Sequence, residues 1–199
     1  FGASLDKIKQ VVDVRDGEIM FGLNMVVHKG KTIFVGDTSV HEYPTSEQMA
    51  EIAISTARVV RLFGFDPKVA FVSHSTFGQP LTSRTKHIRN AVDILKEKKV
   101  DFEFDGDMQP DVALNPEYKD LYPFSKIVGN ANILIMPGQH SAAISYKMMK
   151  TLGDTKVIGP LLIGIGLPIE IAPLRSSTSE LINLASIAAY SADVIDYKK

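Results

Sequence analysis

Residues 68–78 read KVAFVSHSTFG, and this stretch decides the fold. KVAFVS is a short run rich in apolar and β-branched residues, whereas SHSTFG is polar and closes on Gly78. Upstream, Pro44 precedes Thr45 and Gln48 follows three residues later, a capping-box pattern that opens a helix. Met49, Ile52, Ala53, Thr56, Val59, Val60 and Phe63 then recur at helical spacing, and Gly64 stands where a C-terminal glycine is expected. Downstream, residues 82–98 carry Ile88, Ala91, Val92 and Leu95 on one face and predict a second helix. Helix, buried strand, polar loop and helix form the repeating unit of a parallel sheet.

The alternation extends both ways. FGLNMVVHKGKTIFVGD predicts two strands about a tight turn at His28-Lys29-Gly30-Lys31, with Gly30 supplying positive φ. VVDVRDG, just ahead, alternates and predicts another strand. NILIMP is continuously apolar, as expected of a strand covered on both faces. Residues 141–152 predict a helix ending at Gly153, VIGPLLIGI a buried strand broken by glycines, and LPIEIAP one more short strand. Ser177 and Glu180 form a further capping box, opening a helix with Leu181, Leu184, Ala185 and Ala188 as its buried stripe. DFEFDGDMQPDVALNPEY, with Gly106, Pro110 and Pro116, reads as turns. The predicted class is α/β: three layers, a largely parallel sheet with helices on both faces, and antiparallel edge strands from the N-terminal hairpin. There is no internal repeat or long linker, and the only expected domain border lies near Leu167-Pro168.

Composition removes several function classes. The 199 residues carry 22 Lys and Arg against 23 Asp and Glu, with 45% hydrophobic residues, which is too apolar and too near neutral for a disordered tail. The basic excess of a phosphate-tracking nucleic-acid binder is missing. With no cysteine, disulfides, thiolate metal sites and cysteine nucleophiles are excluded. The longest apolar run, residues 157–165, is interrupted by Gly159, Pro160 and Gly164 and falls short of the ~20 residues of a membrane span. FGASLDKIKQ lacks the pattern of a signal peptide, so a soluble, cytoplasmic protein is expected. A chain beginning at Phe1 rather than Met is expected to be a piece of something longer.

Residues 73–78 lie where open α/β sheets bind ligands. Ser73, Ser75, Thr76 and Gly78 can offer hydroxyls and backbone N–H groups to an anion, or simply form a polar turn capping the next helix. Neither GxxxxGK[ST] nor GxGxxG is present. Asp105, Asp107 and Asp111 can be read as oxygen ligands for Mg²⁺, although a turn with Asp side chains on nearby backbone is the preferred reading. The histidines, His28, His41, His74, His87 and His140, show no zinc-ligand spacing, and His74 between two serines is not part of a GxSxG elbow. Gly159-Pro160 in an apolar strand serves either packing or a ligand's approach to the backbone. Arg175, Ser176 and Ser177 at a helix start form either an anion site or an ordinary cap beside a solvated Arg.

Taken in order, the blocks KVAFVSHSTFG, DFEFDGDMQPDVALNP, GNANILIMPGQHSAAISYK and VIGPLLIG resemble the phosphate acetyltransferase (phosphotransacetylase) family, from FVGDTSVHEYPTSEQMAEIA to the end of the chain. The likeness is nearer to one branch, the phosphotransacetylase-like C-terminal domain of large bacterial NADP-dependent malic enzymes, whose loop is of the SHSNFG type. Dedicated phosphotransacetylases more often carry STKGS, and here Phe77 stands in place of the lysine and Gln79 in place of the second serine. The resemblance implies a fold shared with isocitrate and isopropylmalate dehydrogenases, in which a second α/β domain is inserted into a first. Residues 1–166 would form the second domain and 167–199 the C-terminal return into the first, whose N-terminal part is not in this chain. It also implies a homodimer through this domain, with higher oligomers in the full protein, and acetyl-CoA as ligand. No cofactor is implied in this chain. NADP and a divalent metal would belong to an N-terminal malic-enzyme domain of the same chain that decarboxylates malate oxidatively to pyruvate.

Active family members carry KPxNDLSRGxSxEDIV where this chain reads LPIEIAPLRSSTSELIN. Pro173 and Leu174 then fall at the Ser-Arg pair implied to hold CoA and acetyl phosphate. Glu180 falls at the aspartate implied to be the general base for the thiol. Ile158 replaces a Tyr before GP, and Ala143 an Asn before IxYK. No residue is assigned a catalytic role beyond Glu180's position. The expected ligand-binding set for acetyl-CoA or phosphate is Ser73, Ser75, Thr76, Gly78, Gly159, Pro160, Arg175, Ser176 and Ser177, with the two loops bordering one pocket. The departures imply a regulatory acetyl-CoA-binding domain lacking transacetylase activity; the alternatives are an active phosphate acetyltransferase and a structural dimerisation module.

Overall fold

Lys29 and Gly30, at φ 48° and 76°, turn β1 (Phe21–His28) directly into β2 (Lys31–Gly36). The ladder runs from His28↔Lys31 to Leu23↔Gly36. The structure, a computed structural model, describes residues 2–195. β2 is followed by α2 (Ser46–Leu62), β3 (Lys68–Val72), α3 (Ser83–Lys98), β4 (Glu103–Met108) and α4 (Pro110–Leu114). A 3₁₀ turn (Pro116–Leu121) leads to β5 (Ile133–Ile135), α5 (Gln139–Leu152), β6 (Thr155–Ile163) and α6 (Thr178–Val194). The sheet order is β4-β3-β5-β2-β1-β6. β4, β3, β5 and β2 pair in parallel, and β1 is antiparallel to both β2 and β6.

The pleat sorts side chains into two cores. Phe71, Phe34, Ile133 and Ile135 face α2, α3 and α6, whereas Ala70, Val72, Val35 and Leu134 face α4 and α5. β5 is therefore buried on both faces, as its continuous apolar run predicts. Both predicted capping boxes form, at Thr45–Gln48 for α2 and Ser177–Glu180 for α6, and α3 has a third that the sequence reading did not name, Thr82–Thr85, with Thr85 at the third helical position. Phe63 caps α2, and Gly64 follows at φ 81°.

Three expectations need correction. The N-terminal segment opens with a helix, α1 (Gly2–Ile8), and VVDVRDG is not a strand: Val14 makes only an isolated bridge to Ile165. Leu5 of α1 is buried with Met20, Leu162 and Ile171, so this segment closes the end of the β1–β6 ribbon. Residues 103–108 form β4 rather than a turn, because Phe71 and Val69 of β3 supply a parallel partner that outweighs the low β-propensity of Asp and Gly. LPIEIAP has no strand partner and runs as irregular chain. The expected antiparallel edge is present: β1 of the hairpin runs antiparallel to β2, and β6 pairs along its free side. Among the described residues, no helix is long and apolar enough to cross a membrane.

Candidate functional site

β3 ends at Val72, and its loop turns inward onto β4. Ser75 and Asp107 are both fully buried. The Ser75 hydroxyl donates to Asp107 Oδ2, and the Gly78 N–H donates to Oδ1 at 3.0 Å. The Phe77 N–H donates to the Asp107 carbonyl at 2.6 Å. Ser73 and Ser75 Oγ lie 3.1 Å apart. Because Ser75 has already given its one proton to the carboxylate, Ser73 is the donor in that pair. The hydroxyl protons thus run inward from Ser73 to Ser75 to Asp107. Thr76 Oγ1 is also engaged, accepting from the Gln109 N–H at 3.3 Å. Of the predicted loop donors, only Ser73 lines a cleft, an open space of about 300 Å³ shared with His74, Arg84, Met136, Pro137 and Ser141. His74 is exposed and makes no pair with either serine.

Asp37, at the end of β2, does for the next loop what Asp107 does for this one. Its Oδ1 accepts from the N–H groups of Gly22, Ser39 and Val40 at 2.9, 2.8 and 3.1 Å. Its Oδ2 accepts from the His41 N–H at 2.7 Å and faces His41 Nδ1 at 2.6 Å. Sequence reasoning missed both carboxylates as organisers. Ser75 and Gly78 lie far from Asp107 in sequence and Gly22 far from Asp37, the other donors to Asp37 are backbone N–H groups of its own loop and the His41 ring, and the only local signal was an Asp at the end of each strand.

The second predicted group sits elsewhere. Gly159, Ser176 and Glu180 line a cavity of about 30 Å³ beside Lys150 and Val157, at the amino-terminal half of β6. That is room for roughly two waters. β5, β2 and β1 separate β3 from β6, a distance of about 19 Å at ordinary strand spacing. The two loops therefore do not border one pocket. Gly159 is set by packing, since at φ 120° a Cβ there would lie 2.8 Å from the Leu23 carbonyl oxygen. Pro160 follows it within β6 and is not among the residues lining that cavity. The Ser176 hydroxyl is buried without a hydrogen-bond partner, Ser177 caps α6, Arg175 is exposed, and Leu174 is fully exposed.

Glu180 is engaged on both oxygens. Oε1 accepts from Lys150 Nζ at 2.7 Å, and Oε2 accepts from the N–H and hydroxyl of Ser177 at 2.7 and 2.9 Å. The Lys150 contact first, then the Ser177 donors, pull its carboxyl down to about 2. Glu170 goes the other way: burial pushes it up to about 8, against the opposing Leu162 N–H at 3.0 Å. It lines an enclosed, mainly apolar cavity of about 40 Å³ between β6 and α6. The Asp105 carboxylate is filled by the N–H groups of Gly106 and Lys126 at 2.9 and 2.8 Å, so it acts on backbone as the preferred reading had it, though within a strand. Among the described residues, no three His, Asp or Glu side chains gather as a metal set.

The sequence profile described as phosphate acetyl/butaryl transferase matches residues 2–189. An NADP-dependent malic enzyme of Rhizobium meliloti is 43% identical over 192 residues, 96% of this chain and 25% of its own length. A phosphate acetyltransferase of Bacillus subtilis is 31% identical over 92% of this chain and 57% of its own length. A phosphotransacetylase structure from Streptococcus pyogenes matches with a TM-score of 0.89 at 29% identity, over 96% of this chain and 59% of its own. The chain thus spans about a quarter of the malic-enzyme relative and little over half of the transferases.

Two outcomes follow from these contacts. Asp107→Ala strands the buried Ser75 hydroxyl and Gly78 N–H, and is expected to cost about 2–4 kcal/mol in urea unfolding, with Asp107→Asn recovering part of it. Glu180, lowered from 4.5 to about 2, contributes stability that is full above about pH 4.5 and is lost as pH falls toward 2. Glu180→Gln should therefore unfold more easily than wild type at pH 7, with the gap closing between pH 4.5 and 2. Added salt should narrow the gap, because the pair is partly exposed.

Proposed function

The chain belongs to the phosphate acetyl/butaryl transferase family, and we propose that it serves there as an acetyl-CoA-binding regulatory domain of a malic enzyme, without transacetylase activity of its own. The observation that carries this reading is Glu180. At the position implied for the general base, its carboxylate is spent on Lys150 and on capping α6. Held well below the usual carboxylate range by Lys150 and the Ser177 donors, its carboxyl is a weaker base than an unpaired Asp or Glu. Beside it, Leu174 and Pro173 supply neither the hydroxyl nor the guanidinium of the Ser-Arg pair. Residues 1–166 act as the ligand-binding unit and 167–199 as the return into a first domain. Residues 1 and 196–199 lie outside the described structure.

Regulation on this reading is linkage: acetyl-CoA binds one conformation better and shifts the malic-enzyme part by that difference. The working unit is a homodimer. Ile144, Met148 and Leu152, exposed by 58%, 54% and 80%, form a stripe at i, i+4 and i+8 along α5, an apolar face suited to a second copy. Sedimentation at micromolar concentration is expected to give a dimer, and monomer alone overturns that element.

The activity test measures acetyl phosphate formation from acetyl-CoA and phosphate, and malic-enzyme turnover of the whole protein with and without acetyl-CoA. Transacetylase turnover is expected about 10²–10³-fold or more below that of a dedicated enzyme, because transition-state contacts are missing. Acetyl-CoA is expected to change malate oxidation. Turnover comparable to a dedicated transacetylase promotes the alternative of an active phosphate acetyltransferase, and no effect of acetyl-CoA on either activity leaves a dimerisation module.

A further inference from the structure

We propose that the cleft in front of Ser73 extends into a binding site for the phosphorylated nucleoside end of a ligand, with Arg84 taking the phosphate and Tyr43 the base. A second lobe of about 380 Å³ adjoins the first. Its walls are Tyr43, Thr45, Arg84 and His87, and its floor is Ile88 and Pro137. Arg84, Ile88 and Pro137 line both lobes, so the two are continuous. Their size is that of a small-molecule site, which typically runs ~300–1,000 Å³.

Neither lobe is lined by a carboxylate. Among the described residues Arg84 makes no ion pair. What orients it is Tyr43, whose ring centroid lies 5.4 Å from the guanidinium carbon. A ring face steers a cation without neutralising it, so the full charge is left for an anion. His87 holds the two sides together. Its Nε2 faces the Pro44 carbonyl at 2.9 Å and therefore carries a proton, and its Nδ1 and its backbone carbonyl both face the Ser46 hydroxyl, at 3.0 and 2.8 Å. His87 is a positioning residue, fixing the segment that carries Tyr43 against the helix that carries Arg84.

The surroundings favour negative charge. Thr45 and Ser83 stand at the amino ends of α2 and α3, and Ser141 in the first turn of α5, which has no side-chain cap. The positive ends of three helices converge on the cleft. A bare inorganic anion would use Arg84 and leave the apolar floor of Ile88, Met136 and Pro137 idle. An uncharged ring would do the reverse. A nucleoside phosphate uses both, and Tyr43, 65% exposed, offers its ring for stacking. The choice of adenosine 3′,5′-bisphosphate as probe rests on the acetyl-CoA reading above, because that is the nucleotide end of CoA. With that end at Arg84, the acyl end reaches along the shared floor toward Ser73.

The experiment titrates adenosine 3′,5′-bisphosphate into the chain by calorimetry. Wild type is expected to bind it with saturation below millimolar concentration. Arg84→Ala is expected to weaken binding about tenfold, as loss of a charge-assisted phosphate contact does. Arg84→Lys should fall between, keeping the charge and losing the planar fork. Tyr43→Leu should lose about threefold, while Lys86→Ala, an exposed lysine on the same helix outside the cleft, should bind as wild type. Adenosine and inorganic phosphate should each bind at least tenfold more weakly, roughly the share of the missing half. No saturable binding, equal affinity of wild type and Arg84→Ala, or equal losses in Arg84→Ala and Lys86→Ala overturns the site. Arg84 and Tyr43 are exposed, so folding is not at stake. If the bisphosphate binds through Arg84 and acetyl-CoA leaves malate oxidation unchanged, the regulatory reading falls and the site stands. If acetyl-CoA regulates the whole protein identically with Arg84→Ala, the site falls and the regulatory reading stands.

Discussion

A carboxylate taken out of water must be surrounded by hydrogen-bond donors or give up its charge. Two such groups, Asp37 and Asp107, sit where β2 and β4 end, and the loops at that end of the sheet are wound around them. Asp37 gathers four backbone N–H groups and the His41 ring, and one of those N–H groups, from Gly22, belongs to the neighbouring strand. Asp107 gathers the Ser75 hydroxyl and the Gly78 N–H from the loop after β3. Each carboxylate therefore fixes a backbone path, Asp37 by winding its own loop around itself and Asp107 by drawing in a loop about thirty positions away. Tyr43 on one path, and Ser73 and His74 on the other, line the cleft.

The same accounting separates binding from catalysis. A donor spent on a buried carboxylate is not free for a substrate, and a carboxylate spent on a helix end is a poor base. Ser75 and Gly78 are spent in the first way and Glu180 in the second, while the Thr76 hydroxyl oxygen is taken up by the Gln109 N–H. These groups hold the fold, and removing any of them costs stability before it touches chemistry. Among the described residues Arg84 has no such charge partner, and it stands beside room rather than beside packed atoms. On the proposed reading, the inward proton chain and the outward guanidinium make a surface that holds an anion without transforming it.

What could be read from the sequence was local. Thr45 with Gln48 and Ser177 with Glu180 announce helix starts because the whole motif lies within four residues. The turn at Lys29-Gly30 and the doubly covered β5 were visible for the same reason. β4 was hidden because Asp105, Gly106 and Asp107 are poor strand formers in isolation. They pair only because β3 lies alongside, and the two aspartates then find donors at Lys126 and Gly78. The pairing of Tyr43 with Arg84 spans forty-one positions and rests on a histidine contact that no periodicity reveals. Family resemblance supplied the candidate residues, but not that Ser73 and Ser176 are separated by three strands. Gly159 shows the limit most plainly, since either a ligand or a neighbouring strand explains a glycine, and only the Leu23 carbonyl decides between them.

For an effector to act at a distance, some element must meet both the ligand and the surface through which the effect is felt. α5 is placed to be that element on the proposed reading. Its first turn, at Ser141, lines the cleft, and one turn later its outer face begins the apolar stripe of Ile144, Met148 and Leu152. Its last turn carries Lys150, which holds Glu180 at the start of α6. α6 buries only Leu184 among its residues and leaves Leu181 and Ile182 exposed by 47% and 60%, a second apolar face. One helix thus touches the anion cleft at its amino end, offers a face for a second copy along its length, and ties down α6 at its carboxyl end. A ligand that prefers one position of α5 biases both apolar faces together, and the size of the effect is set by that preference alone.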